Sequence, residues 1–112
     1  MTTFAQILHS VSEARGVPVQ AILSTRRCHQ IAHARQEVAF LARNLTTMSL
    51  PSIGKRLDRD HTTILHSLRA VEARMSQDDY RNQIEAIEES LKPQFIRHNA
   101  MAFSSTRSAA NV

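Results

Sequence analysis

The sequence predicts a small all-α domain of about five to six helices, and three observations carry that prediction. Ala, Leu, Ile, Arg, Gln and Glu are abundant among the 112 residues, whereas only two are Gly, three are Pro and five are aromatic, a balance that favours helix over sheet. Apolar residues recur at spacings of three and four over most of the chain. Glycines, prolines and small polar residues cluster where that periodicity breaks.

Phe4, Ile7, Leu8 and Val11 make the first helix, which "RGVP" at Arg15 to Pro18 stops. Val19, Ile22 and Leu23 suit a short second helix with Pro18 near its first position, where a missing N–H costs nothing. Ile31, Ala34, Val38, Leu41 and Leu45 mark a long third helix, and its opposite side, carrying Arg35, Gln36 and Arg43, is expected to be free to bind. In "TTMSLPSIG", Ser49 is a good N-cap, Pro51 is tolerated in the first turn, and Ile53 and Leu57 give a short fourth helix its core stripe.

"DRD" follows as a tight turn, with Asp60 placed to cap a fifth helix whose stripe is Ile64, Leu65, Leu68, Val71 and Met75. Two helices joined by about three residues outline a helix-turn-helix. Tyr80, Ile84, Ile87 and Leu91 make a last amphipathic helix that Pro93 ends, and the small polar residues of "SSTRSAANV" predict a disordered tail.

A chain of this length is one domain, too small for a nucleotide-driven motor. The single cysteine, Cys28, cannot form an internal disulfide, and the N-terminus lacks a secretion signal, so the expected location is cytoplasmic. No apolar run approaches the roughly 20 residues that cross a bilayer, so no membrane partner is expected. The net charge of +4 is unevenly spread: residues 26–69 hold eight Lys or Arg against three acids, and residues 70–92 hold three against six. A basic segment of this kind attracts polyanions, nucleic acid above all, although a solvated face reads the same way by charge alone.

Catalytic chemistry finds no support. "HQIAH" places His29 and His33 at the ligand spacing of zinc proteases, but Gln30 stands where their general-base Glu must be and cannot take a proton from metal-bound water. No further Cys or His spacing completes a zinc set, so neither a metal nor another cofactor is expected. His61 and His66, five apart, leave a helix in different directions. Neither glycine belongs to a phosphate-binding loop, so no nucleotide is expected.

The start of the fifth helix is chemically richer. In "RDHTTILHSLR", Asp60 can accept from a cytosine amino group, His61 can donate to purine acceptors, and a threonine can meet a base edge, a thymine methyl or a phosphate. Ile64, Leu65 and Leu68 fall on the inner face, so one helix can pack and read at once. Helix capping accounts for Asp60 and Thr63 equally well, and both roles can hold together. Arg26 and Arg27, in the loop-like "STRRC", suit a narrow minor groove or are ordinary solvated charge.

Ser24 to Glu72 strongly resembles the C-terminal DNA-binding domain of the DnaA family of bacterial replication initiators. An ARQ element at Ala34 to Gln36, an SLPxIG element at Ser49 to Gly54 and RDHTT at Arg59 to Thr63 occur in that family's order and spacing. The resemblance covers about residues 4 to 92 and implies a TrpR-like, DnaA domain IV-like fold over 1–92, with 93–112 as the tail. It implies double-stranded DNA as partner, with Arg27 in the minor groove, Asp60, His61 and Thr62 reading bases in the major groove, and Pro51 against a thymine methyl. Arg35, Gln36, Leu50 and Thr63 match positions used for phosphate and positioning contacts.

Asp58 departs from the family pattern, standing where glycine is usual, so it either adopts a left-handed conformation or the turn differs. A full initiator carries an ATP-binding motor ahead of this domain, whereas this sequence opens with Met1 just before the first helix. The expected function is therefore a stand-alone, nucleoid-associated regulator of transcription or replication initiation that recognises DnaA-box-like elements. A module binding replication or transcription proteins is the alternative.

Overall fold

The computed structural model describes residues 2–91, and among them six α-helices and no strand are present: α1 (Phe4–Arg15), α2 (Val19–Ile22), α3 (His29–Leu45), α4 (Leu50–Leu57), α5 (His61–Arg74) and α6 (Asp78–Ser90). The predicted tail and the Pro93 stop lie outside the described residues.

Local chemistry explains where each helix begins and ends. Thr3 and Gln6 form a capping box at the start of α1, the Gln6 amide donating to Thr3 Oγ1 at 3.2 Å and the Thr3 amide to Gln6 Oε1 at 3.0 Å. Gly16 closes the same helix with φ 67°, where a side chain would be strained. Ser49 caps α4 by accepting from the Ser52 amide at 3.2 Å, with Pro51 in the first turn. Leu23, expected inside α2, instead follows it as an exposed residue, because Pro18 starts that helix and only four residues remain helical.

α3 is the central post, packed against α1, α2, α4 and α5, while α6 lies on α1. Ile7, Val11, Ile22, Leu41, Ile53, Leu57, Ile64, Val71 and Ile84 are fully buried around it. Each such aliphatic side chain contributes about 1.5–3 kcal/mol on leaving water, and these residues come from every helix.

Central position corrects one expectation. The side of α3 opposite its apolar stripe is not free: Arg35 is 8% exposed, Gln36 is half-buried, and only Arg43 of the three is exposed. A helix surrounded on all sides buries polar residues along with apolar ones, provided each finds a partner. The inner face of α5 also differs from expectation, since Leu65 and Leu68 are half-buried and Ser67 is buried, its hydroxyl donating to the Thr63 carbonyl at 3.0 Å.

Candidate nucleic-acid interface

The turn between α4 and α5 is built by three residues. The Arg59 amide donates to the Gly54 carbonyl at 2.8 Å and the Asp58 amide to the Lys55 carbonyl at 3.4 Å, the paired bonds of a Schellman ending. Asp58 takes φ 56° and ψ 49°, so the left-handed alternative is the one adopted at the position where glycine was expected. Gly54 is required by proximity rather than by its own dihedrals: a Cβ there would collide with the Arg59 carbonyl oxygen.

α5 then starts at the Asp60 cap, whose Oδ2 accepts from the Thr62 amide at 2.9 Å. That hydrogen bond, ahead of a weaker attraction to His61, holds the Asp60 carboxyl below its ordinary range, so it is an anion at neutral pH. The side chains of Asp60 and His61 are 67% and 62% exposed, and Thr62 and Thr63 are exposed too. Four polar side chains thus stand in solvent on the first turn of a helix whose Ile64 and Val71 are anchored in the core. Pro51, also exposed, and the half-buried Leu50 begin the neighbouring α4.

A second element joins this surface. Arg26 and Arg27 are exposed in the loop from Ser24 to Cys28, between α2 and α3. Arg35 grips that loop from beneath: its Nε donates to the Ile22 carbonyl at 2.8 Å, and its Nη2 to Ser24 and Arg26 carbonyls at 2.9 and 3.0 Å and to Ala21 at 3.3 Å. The guanidinium therefore satisfies the orphan carbonyls that end α2 and orders the loop that follows. Two of its nitrogens are thereby committed to four carbonyls of the loop and of the end of α2. Burial, and then the nearby Arg59, lower its pKa from the ordinary arginine value.

Arg59 ties the two elements together. It donates to the carbonyls of Leu57 and Asp58 in its own turn and, at 3.0 Å, to the Ser24 carbonyl of the loop. In the sequence Arg59 belongs to the turn, to the basic segment and to the RDHTT element, and no local signal marks a contact that spans 35 positions.

Gln36 belongs to a different network. Its Oε1 accepts from Arg74 Nη2 at 2.9 Å, and Arg74 Nη1 lies 3.5 Å from His33 Nε2. Burial and then Arg74 lower the His33 pKa, which keeps that ring neutral. His29 and His33 lie with ring centroids 4.0 Å apart, and among the described residues no group of three or more metal-ligating side chains converges.

The electrostatics favour an anionic partner. Arg26, Arg27, Lys55, Arg56 and Arg69 are exposed on the loop, α4 and α5, and none has an ion-pair partner among the described residues. The buried acid Glu37, by contrast, is neutralised internally by Arg15. Arg56 lies over the Phe4 ring, 4.4 Å from its centroid, and exposed cations without carboxylate partners suit phosphates. No helix among the described residues is long and apolar enough to cross a membrane.

Residues 4–71 match the family described as bacterial dnaA protein helix-turn-helix. The chain is 42% identical over 92 residues to the chromosomal replication initiator protein DnaA of Caulobacter sp. (strain K31), a match covering 80% of this chain and 19% of that protein. The protein of the same name from Streptococcus pyogenes serotype M5 (strain Manfredo) is 42% identical over 89 residues, covering 78% of this chain and 20% of its own. A crystal structure of a DNA replication initiation factor aligns with a TM-score of 0.72 at 29% identity, covering 79% of this chain and 27% of that one. The chain spans about a fifth of the length of the curated relatives it matches. The matched residues include the ARQ, SLPxIG and RDHTT elements.

Proposed function

The chain belongs to the bacterial DnaA helix-turn-helix family, and from that premise we propose that it binds double-stranded DNA in a sequence-specific manner, at DnaA-box-like elements. The observation that carries the reading is the exposed polar start of α5, where Asp60, His61, Thr62 and Thr63 face solvent while the rest of the helix is anchored in the core. A helix held in this way presents its first turn to the major groove.

His61 and Thr62 read base edges, and Asp60 both caps the helix and accepts from a base amino group. Pro51 meets a thymine methyl, Leu50 and Thr63 position the helix pair on the backbone, and Arg27 enters the adjacent minor groove. Lys55, Arg56 and Arg69 supply sequence-independent phosphate attraction. By occupying such sites the protein regulates transcription or replication initiation, in the nucleoid. Its unpaired surface cations support a polyanion as the partner.

Binding isotherms at fixed salt, on a duplex bearing a DnaA-box-like element and on a scrambled duplex of the same composition, test the reading. Preference for the first by at least about tenfold is expected, since one good base contact is worth about 1–3 kcal/mol. Equal affinity for both would refute sequence recognition.

A further inference from the structure

Two arginines from separate elements share one acceptor. Arg35 Nη2 and Arg59 Nη2 reach the Ser24 carbonyl oxygen at 2.9 and 3.0 Å. Ser24 opens the loop that bears Arg27, and Arg59 immediately precedes the Asp60 cap of α5. The loop is otherwise fastened to α2 and α3: the Ser24 hydroxyl donates to the Ala21 carbonyl at 2.6 Å, the Arg26 amide donates to Ser24 Oγ at 3.1 Å, and Arg35 holds the Arg26 carbonyl. Among the hydrogen bonds of the described residues, the one from Arg59 is the bond that crosses from this loop to the helix-turn-helix.

Arg59 divides its donors: Nη1 serves its own turn, on the Leu57 and Asp58 carbonyls, beside the backbone bonds to Gly54 and Lys55 and the Asp60 cap. The far nitrogen, Nη2, is turned to Ser24 even though another guanidinium occupies the same oxygen, and the two like charges are brought together there without a carboxylate partner.

We infer that Arg59 is a positioning residue: with Arg35 it locks the Arg27 loop at a fixed distance from the start of α5, so that minor-groove and major-groove contacts fall at a set spacing along one duplex. The inference rests on the DNA-binding reading above. It makes Arg59 a determinant of which base-pair separation is recognised, without itself touching a base.

A double-mutant cycle tests it. Discrimination between the preferred duplex and its single-base-pair variants is measured for the full chain and for Arg27→Ala, Arg59→Met, His61→Ala and the two doubles containing Arg59→Met. The base pairs sensed by Arg27 are those at which Arg27→Ala loses preference. Arg59→Met is expected to lose roughly tenfold discrimination at those pairs alone, and the Arg27→Ala, Arg59→Met double should lose no more than Arg27→Ala. Discrimination at pairs sensed by His61 should be retained. Additive losses with Arg27→Ala, or equal losses at all positions, overturn the lock.

Arg59→Lys, which keeps the charge but has a single nitrogen in place of the fork that serves turn and loop together, repeats the cycle if the methionine variant unfolds. Independently, backbone order parameters of residues 25–28 in the unaltered protein should equal those of α5, and a loop clearly more mobile than α5 also overturns it. If the unaltered protein fails to tell the preferred duplex from a scrambled one, the DNA reading falls, and the lock is then judged on the order parameters.

Discussion

Tyr80 donates its phenolic hydrogen to Glu37 Oε2 at 2.7 Å, joining the last helix to the central one. Arg15 completes the cluster from α1, its Nε and Nη2 reaching the two Glu37 oxygens at 2.7 and 2.9 Å. Three helices thus converge on a carboxylate that is only 2% exposed, a polar centre with its acid satisfied.

Tyr80 titrates late as a result. Burial first, and then the hydrogen bond to Glu37, raise its pKa to about 12 from the usual 10. A folded-state value above the unfolded one means that this stabilisation is complete below about pH 10 and is lost as pH rises towards about 12. Tyr80 is the single tyrosine, so tyrosinate absorption reports it directly, and a midpoint near 10 in the folded protein would contradict the contact.

Glu37→Gln should destabilise the fold by about 3 kcal/mol, because it leaves the Arg15 guanidinium partly buried against a neutral amide. Urea unfolding followed by circular dichroism measures the loss. A midpoint within error of the unaltered protein would show that the pair contributes nothing.

Arg35→Ala should cost about 3 kcal/mol of stability by taking the Arg35 partner from the Ile22 and Arg26 carbonyls, rather than acting through lost phosphate attraction. Urea midpoints decide between the two. If unfolding is unchanged while DNA affinity falls and the salt slope drops by about one, Arg35 acts at the surface after all.

Gly54 and Asp58 respond in opposite directions. Gly54→Ala should destabilise by about 2 kcal/mol despite alanine's better helix propensity, since the new methyl meets backbone at Arg59. Asp58→Gly should stabilise by about 1 kcal/mol by relieving the left-handed conformation. Thermal melts of the two variants should therefore move apart, and shifts of the same sign would contradict the turn geometry.

On DNA, His61→Ala and Thr62→Ala should each lose about 1–3 kcal/mol and relax preference at particular bases. Lys55→Ala should weaken every duplex alike and lower the salt slope by about one. Affinities across a set of single-base-pair variants, at several salt concentrations, separate the two behaviours. Uniform loss on removing His61 would move it from base readout to phosphate contact.

Most helices, their caps and the core stripe were legible because they obey short-range rules. Ser49 and Asp60 announce helix starts through their own side chains, Gly16 announces a stop, and the periodicity of Ile64 and Val71 marks the buried side of α5. The exposed polar start of that helix was legible for the same reason, since its polar residues are contiguous. Leu65 and Ser67 were harder, because their burial depends on which neighbours crowd that flank of the helix.

By itself the sequence determined the helical class, the turn between α4 and α5, and the polar residues that open the latter, all set by interactions within a few positions. Tertiary structure alone decided that α3 is enclosed, which turned Arg35 from a surface cation into a clamp and engaged Gln36 with Arg74. It alone joined Arg59 to Ser24 across 35 positions and Tyr80 to Glu37 across 43. A period of 3.6 residues tells which residues share a helix face, but what covers that face depends on contacts between helices far apart in the chain, and such contacts leave no periodic trace.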